Sequence, residues 1–170
     1  MKVLLVEDSA TDVTLFRMAL RSLPASFELS VADDGDRALT LLHDGGTRSG
    51  ARRPDYIVLD LNLPRRDGFE ILGEIKSDPL LSGIPVIVLS SSRGPDEVAR
   101  AYDLQAAAYF VKPLSEFDQV VSGIVRYIDA ARRGGSIDAG SFTGAVFANL
   151  AAGGAGATPA PVPPPAGDAG

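Results

Sequence analysis

The sequence predicts a doubly wound α/β fold, a parallel sheet with helices on both faces, and two patterns carry that reading. Short runs rich in Val, Ile and Leu alternate with stretches of helical period, five of each, between Val3 and Ile128. Several of the strand-like runs are also apolar throughout, such as Val3-Leu4-Leu5-Val6 and Ile57-Val58-Leu59. A strand with no polar face has to be covered on both sides, which is the situation of a parallel sheet between two helical layers.

Taken in order, the first strand is read at Val3 to Val6 and the first helix through Leu15 to Leu20, with Ser9 as its cap and Pro24 beyond its end. A second strand, Phe27 to Val31, and a second helix through Ala38 to Leu42 follow. The polar, Gly-rich stretch Asp44 to Arg53 reads as a surface loop before the third strand, Ile57 to Leu59. Next come a third helix through Phe69 to Ile75, a fourth strand at Val86 to Leu89 and a fourth helix through Val98 to Leu104. A fifth strand, Tyr109 to Val111, and a fifth helix, Phe117 to Ile128, close the series.

In the fifth helix Phe117, Val121, Ile124 and Ile128 recur as the stripe expected to pack on the sheet. Val120 and Tyr127 form a second apolar set on a neighbouring face, with Gly123 between them permitting close approach. That set is expected to stand exposed near Tyr109 and Val111, where a second copy would bury it, so a homodimer through the fourth helix, fifth strand and fifth helix is expected.

At 170 residues the chain is long enough for one domain and a short appendage. From Gly134 the composition turns to Gly, Ala and Pro without Lys or Arg, ending in Pro161-Val162-Pro163-Pro164-Pro165. Such a stretch buries too little apolar surface to offset its ordering entropy. The division expected is a domain over 1–133 and a disordered tail over 134–170. Two readings stand for Phe142 to Leu150 within the tail: sticky disorder, or a patch that docks on the domain or a partner.

The formal net charge of −6, with no Lys/Arg cluster on a helix, argues against nucleic acid or an anionic membrane as partner and points to a protein. There is no cysteine, which excludes disulfides and thiolate zinc sites. The first apolar run is too brief for a signal peptide, and no stretch approaches the roughly 20 residues that span a bilayer, so a cytoplasmic location is expected.

In a parallel sheet the carboxyl ends of the strands share one edge, and ligands bind there in doubly wound folds. The expected strands end at that rim in Glu7-Asp8, Asp60, Ser90 and Lys112-Pro113. Three carboxylates converging on one spot repel one another unless a cation sits among them. Oxygen ligands without His or Cys mean a hard ion, and few protein ligands with a phosphate to complete the shell suit Mg²⁺ better than Ca²⁺. With Lys112 balancing the remaining charge, the set suffices for phosphoryl transfer. Asp60 is then the nucleophile, Mg²⁺ and Lys112 neutralise developing charge, and the Ser90 hydroxyl donates to a phosphoryl oxygen. His43, near the end of the second helix, is read as a surface residue away from the rim.

The motifs Val6-Glu7-Asp8-Ser9, Leu59-Asp60-Leu61-Asn62-Leu63-Pro64, Val88-Leu89-Ser90-Ser91-Ser92 and Tyr109-Phe110-Val111-Lys112-Pro113, in that order, resemble those of response-regulator receiver domains. The resemblance covers Met1 to about Arg132. It is greatest to the small regulators paired with bacterial phytochromes, through the long loop before the third strand and the string Arg53-Pro54-Asp55. It implies a flavodoxin-like (βα)5 fold with strand order 2-1-3-4-5, and a single-domain regulator without an output domain. It further implies Asp60 as phosphoacceptor, Asp8 as a direct Mg²⁺ ligand, Glu7 holding the ion through water, and Asn62 offering its backbone carbonyl. Ser90 matches the switch hydroxyl, Tyr109 the switch aromatic, and Lys112 the lysine before a proline, Pro113, expected to be cis.

The partners implied are a histidine kinase, of the bacteriophytochrome type by the nearer resemblance, and a downstream phosphotransfer or effector protein that reads the fourth helix, fifth strand and fifth helix. The sequence departs from the family at Leu104-Gln105-Ala106, where glycine usually stands in the middle. Gln105 must either adopt φ > 0 or end the helix differently.

Two other classes fit less well. A phosphatase of the haloacid-dehalogenase type needs an acid two residues beyond a nucleophile that follows the first strand, whereas here the nucleophile follows the third and Asn62 stands in that place. The chain is therefore expected to hold its phosphoryl group rather than turn it over as an enzyme. A flavodoxin-like cofactor binder needs a phosphate-cradling loop after the first strand, where Glu7-Asp8 would repel the phosphate.

Overall fold

The computed structural model describes residues 1–21, 26–45, 52–112 and 117–133. The expectations for Pro24, for most of the Asp44 to Arg53 loop, for the Lys112-Pro113 bond and for the tail fall outside these residues. Ten elements alternate along the chain: β1 (Lys2–Val6), α1 (Ala10–Arg21), β2 (Glu28–Ala32), α2 (Gly35–Asp44), β3 (Tyr56–Leu59), α3 (Gly68–Ser77), β4 (Val86–Ser90), α4 (Pro95–Asp103), β5 (Ala108–Val111) and α5 (Phe117–Arg132). The five strands form one parallel sheet of order β2-β1-β3-β4-β5.

Alternate strand residues feed two cores, as the twofold period of a strand requires. On one face Leu4, Val6, Ile57, Leu59, Val86 and Val88 pack beneath Ala38 and Leu42 of α2, Ile71, Leu72 and Ile75 of α3, and Val98 and Ala101 of α4. On the other, Val3, Leu5, Val58, Ile87, Leu89 and Phe110 meet Phe16 and Leu20 of α1 and the apolar arc of α5. Burial on both sides is why these strands carry no polar alternation.

Helix starts have local causes. The Ser9 hydroxyl accepts from Asp12 N at 3.2 Å, Asp34 from Arg37 N at 2.7 Å and Asp67 from Phe69 N at 2.9 Å, which cap α1, α2 and α3. Pro95 opens α4 in the first turn, where its missing N–H costs nothing.

The end of α4 settles the question raised by Gln105, which adopts φ 63°. Ala106 N donates to Ala101 O at 2.9 Å and Gln105 N to Tyr102 O at 2.8 Å, the paired bonds of a Schellman ending. A residue with a Cβ is strained there by about 1 kcal/mol. Gln105→Gly is accordingly expected to raise the unfolding free energy by roughly 0.5–1 kcal/mol, part of the relief being offset by the freer unfolded chain. Urea titration checks it, and a loss of stability would show that the Gln105 side chain contributes more than its backbone costs.

The second apolar set of α5 is a correction. Val120 and Tyr127 are 0% and 4% exposed and belong to the same core as Val121, Ile124 and Ile128. The Tyr127 ring meets Phe110 edge-on at 6.3 Å and its hydroxyl donates to Ala107 O at 2.7 Å. Gly123 faces Phe110, not another molecule: a Cβ there would lie 3.3 Å from the ring. Because α5 packs on α1 as well as on the sheet, its buried arc is wider than a single stripe. Val120 and Tyr127 therefore supply no surface for a second copy.

Candidate functional site

Strand register brings the chemistry together. Val6 pairs with Leu59, Leu59 with Val88 and Ser90 with Val111, so the residues that end these strands reach one level. The ladder extends one bond further, with Glu7 N donating to Ala32 O at 2.9 Å, Asp60 N to Val6 O at 3.0 Å and Lys112 N to Ser90 O at 2.7 Å. The backbone under Glu7, Asp60, Ser90 and Lys112 is thus held by the sheet's own ladder.

At this edge Glu7 and Asp60 are buried, Asp8 is exposed, and carboxylate oxygens of all three lie within 4.8 Å of one another. Lys112 donates to Glu7 Oε2 at 2.5 Å, Asp60 Oδ2 at 2.7 Å and Asp12 Oδ2 at 2.9 Å. Burial pushes the Glu7 carboxyl up, and Lys112 beside it offsets part of that. Burial works against the Lys112 ammonium, yet hydrogen bonds to Asp12, Asp60 and Glu7 outweigh it and hold its pKa above the usual lysine range. One ammonium pairs with Glu7, Asp12 and Asp60 while Asp8 adds a fourth carboxylate at the same edge, and the excess negative charge with all-oxygen donors suits a hard divalent cation.

The loops over the site are braced by their own polar groups. Asn62 N donates to Asp60 Oδ1 at 2.9 Å and its side-chain amide to Ser91 Oγ at 3.2 Å, joining the β3–α3 and β4–α4 loops. Ser90 is buried and its hydroxyl accepts from Ser92 N at 3.2 Å. Tyr109 is buried too, its hydroxyl donating to Ser92 O at 3.1 Å, and burial raises its pKa so that it remains a donor. The ring thus lies inward beneath α4, and Tyr109 pairs with Val88, two residue pairs before Ser90 on the β4–β5 ladder. Arg100 of α4 stacks at 4.1 Å over Phe69 at the start of α3, tying the two helices beside the site.

Every rim residue anticipated from the sequence reaches this edge: Glu7, Asp8, Asp60, Asn62, Ser90 and Lys112. Tyr109 stands beside it, and His43 lies at the far end of α2, 3.7 Å from Asp78. Two participants were not anticipated. Asp12 sits in the first turn of α1, three residues past the Ser9 cap, where an acid reads as ordinary helix-start chemistry. Its one signal was that a helix following Glu7-Asp8 must begin at the same rim. Gly68 is the other: its Cβ position lies 2.4 Å from Leu61 Cα and 2.6 Å from Asp60 O, so α3 starts in contact with the backbone of the Asp60 loop.

The profile of the response regulator receiver domain matches residues 3–122, and the chain belongs to that family. It is a receiver-domain regulator of two-component signalling, related to phytochrome-associated response regulators. It is 40% identical over 124 residues to response regulator Rcp1 of Synechocystis sp., a match covering 72% of this chain and 84% of that protein. The crystal structure of the Mn(2+)-bound form of Rcp1 superposes with a TM-score of 0.67 at 39% identity, over 72% of this chain and 90% of the other. The phosphorylated cyanobacterial phytochrome response regulator RcpA superposes with a TM-score of 0.69 at 42% identity, over 74% and 91%. Among the described residues no helix is long and apolar enough to cross a membrane.

Proposed function

We propose that Asp60 accepts a phosphoryl group from a histidine kinase and that Ser90 and Tyr109 convert its presence into a change of the α4–β5–α5 face. The observation that carries this is the Asp60 carboxylate held 2.7 Å from the Lys112 ammonium within a set of three cation-ready carboxylates. An Asp60 oxygen attacks the phosphorus of a phosphohistidine, the P–N bond breaks with its electron pair on the imidazole, and an acyl phosphate results. Glu7, Asp8, Asp60 and the Asn62 carbonyl would hold Mg²⁺, which when bound would supply positive charge at the phosphoryl oxygens. The Mn(2+)-bound form of Rcp1 supports a divalent ion at such a site, and the phosphorylated RcpA supports the modification.

Lys112 neutralises the same charge from the protein side, and Ser90 donates to a phosphoryl oxygen. Asn62, two residues past Asp60, is an amide with no acidic proton to give a leaving group, so the chain acts as phosphoacceptor and not as a phosphatase. Tyr109 already lies inward with its hydroxyl on the loop that begins at Ser90, and the pair forms a two-state element that phosphorylation biases. A kinase of the bacteriophytochrome type is the donor supported by the relatives, and a phosphotransfer or effector protein reads the changed face.

Incubated with acetyl phosphate or a phosphohistidine donor and Mg²⁺, the protein is expected to take up label on Asp60. Asp60→Asn, or excess chelator, should reduce uptake to background. Label that survives either condition would overturn the proposal.

A further inference from the structure

The three N–H bonds of the Lys112 ammonium are all engaged, and their acceptors are not equivalent. Glu7 and Asp60 belong to the group of carboxylates that converge for a cation. Asp12 does not. It approaches from α1 at 2.9 Å, the longest of the three bonds, and its side chain is 25% exposed against 1% for Glu7 and 5% for Asp60.

Phosphorylation, if Asp60 is the acceptor as proposed above, turns the Asp60 carboxylate into a mixed anhydride, an acyl phosphate, and places about two negative charges on the phosphoryl oxygens. Lys112 is then shared between those oxygens, Glu7 and Asp12. An ammonium that also bonds a carboxylate has less positive charge to offer a third party, and a carboxylate near a dianion opposes it directly. Mg²⁺ cannot relieve this through Asp12, which stands outside the metal group.

We propose that Asp12 is a positioning residue that competes with the phosphoryl group for Lys112, so that it weakens the phosphorylated state and sets how readily the switch returns to rest. Asp12 reaches Lys112 because Ser9 caps α1 and the first turn directs the third residue back over the rim. Being the most exposed of the three acceptors, it is also the one that water most readily replaces when Lys112 turns to the phosphate.

Calorimetric titration with beryllofluoride, a phosphoryl mimic, at saturating Mg²⁺ tests this. Asp12→Asn should bind about three- to tenfold tighter than the unaltered protein, the effect expected of one partly exposed, charge-assisted hydrogen bond. Asp12→Glu keeps the carboxylate and should return binding to within about twofold of the original. Asp33→Asn, which removes an acid just past β2 whose partner is Arg37, should change binding less than twofold, on the order of a screened surface charge. Unchanged or weaker binding by Asp12→Asn would overturn the inference, as would an equal gain in Asp33→Asn, which would mean general repulsion at the rim. If the unaltered protein binds no beryllofluoride, both this inference and the assignment of Asp60 fail; if it binds and Asp12→Asn gains nothing, only the role of Asp12 fails.

Discussion

Gly68→Ala is expected to cost about 2–4 kcal/mol of unfolding free energy and to slow phosphorylation by tenfold or more, from a single added methyl group. The Cβ would fall 2.4 Å from Leu61 Cα, 2.6 Å from Asp60 O and 2.9 Å from Leu61 O. All three are backbone atoms, so no side chain can swing aside; either α3 lifts off or the loop after Asp60 moves. The displaced loop carries the site, with Gly68 N bonded to Leu61 O at 3.0 Å and Asn62 N to Asp60 Oδ1. Gly83→Ala provides the control, since a Cβ there meets nothing within 4 Å. Urea unfolding and acetyl phosphate labelling of both variants decide it: a Gly68→Ala protein as stable and as quickly labelled as Gly83→Ala would contradict the packing described.

Tyr127→Asp is expected to destabilise the domain by at least about 3 kcal/mol, because it places a carboxylate against the Phe110 ring and leaves Ala107 O without its donor. Tyr127→Phe keeps the ring and should lose only about 1 kcal/mol, the worth of the hydroxyl's bond. The pair separates a core residue from a contact residue. Were Tyr127 part of a surface between copies, Tyr127→Asp would alter sedimentation and leave thermal unfolding in place. Unfolding shifted strongly by Asp and weakly by Phe is the result that burial requires.

Tyr127 also shows where reading a sequence reaches its limit. The inner strands were legible because burial on both faces leaves β3 wholly apolar and β1 apolar after Lys2, and that composition is visible without neighbours. The rim residues followed, since a parallel sheet puts all carboxyl ends on one edge whatever the detail of packing. A helical wheel, by contrast, shows where apolar residues lie and not how many partners they meet. Val120 and Tyr127 looked surplus because one stripe suffices for a helix on a sheet, and α5 has α1 beside it as well. Asp12 was hidden for another reason: an acid in a first turn already has a sufficient local explanation. Gly68 could be seen only once α3 was known to begin against backbone seven and eight residues earlier. Gln105 posed a choice between strain and a different ending, which local propensity alone could not make.

The three bonds of Lys112 span 105, 100 and 52 residues of chain. During synthesis from the amino terminus, Glu7, Asp12 and Asp60 all emerge before the lysine that binds them, which directly follows β5, an edge strand and the last strand in the chain. A partly made chain therefore gathers like charges at one edge with no ammonium to offset them, and closing these long loops adds to the entropy that folding has to overcome. The charge balance that suits the finished domain to phosphate is complete only once Lys112 has been made.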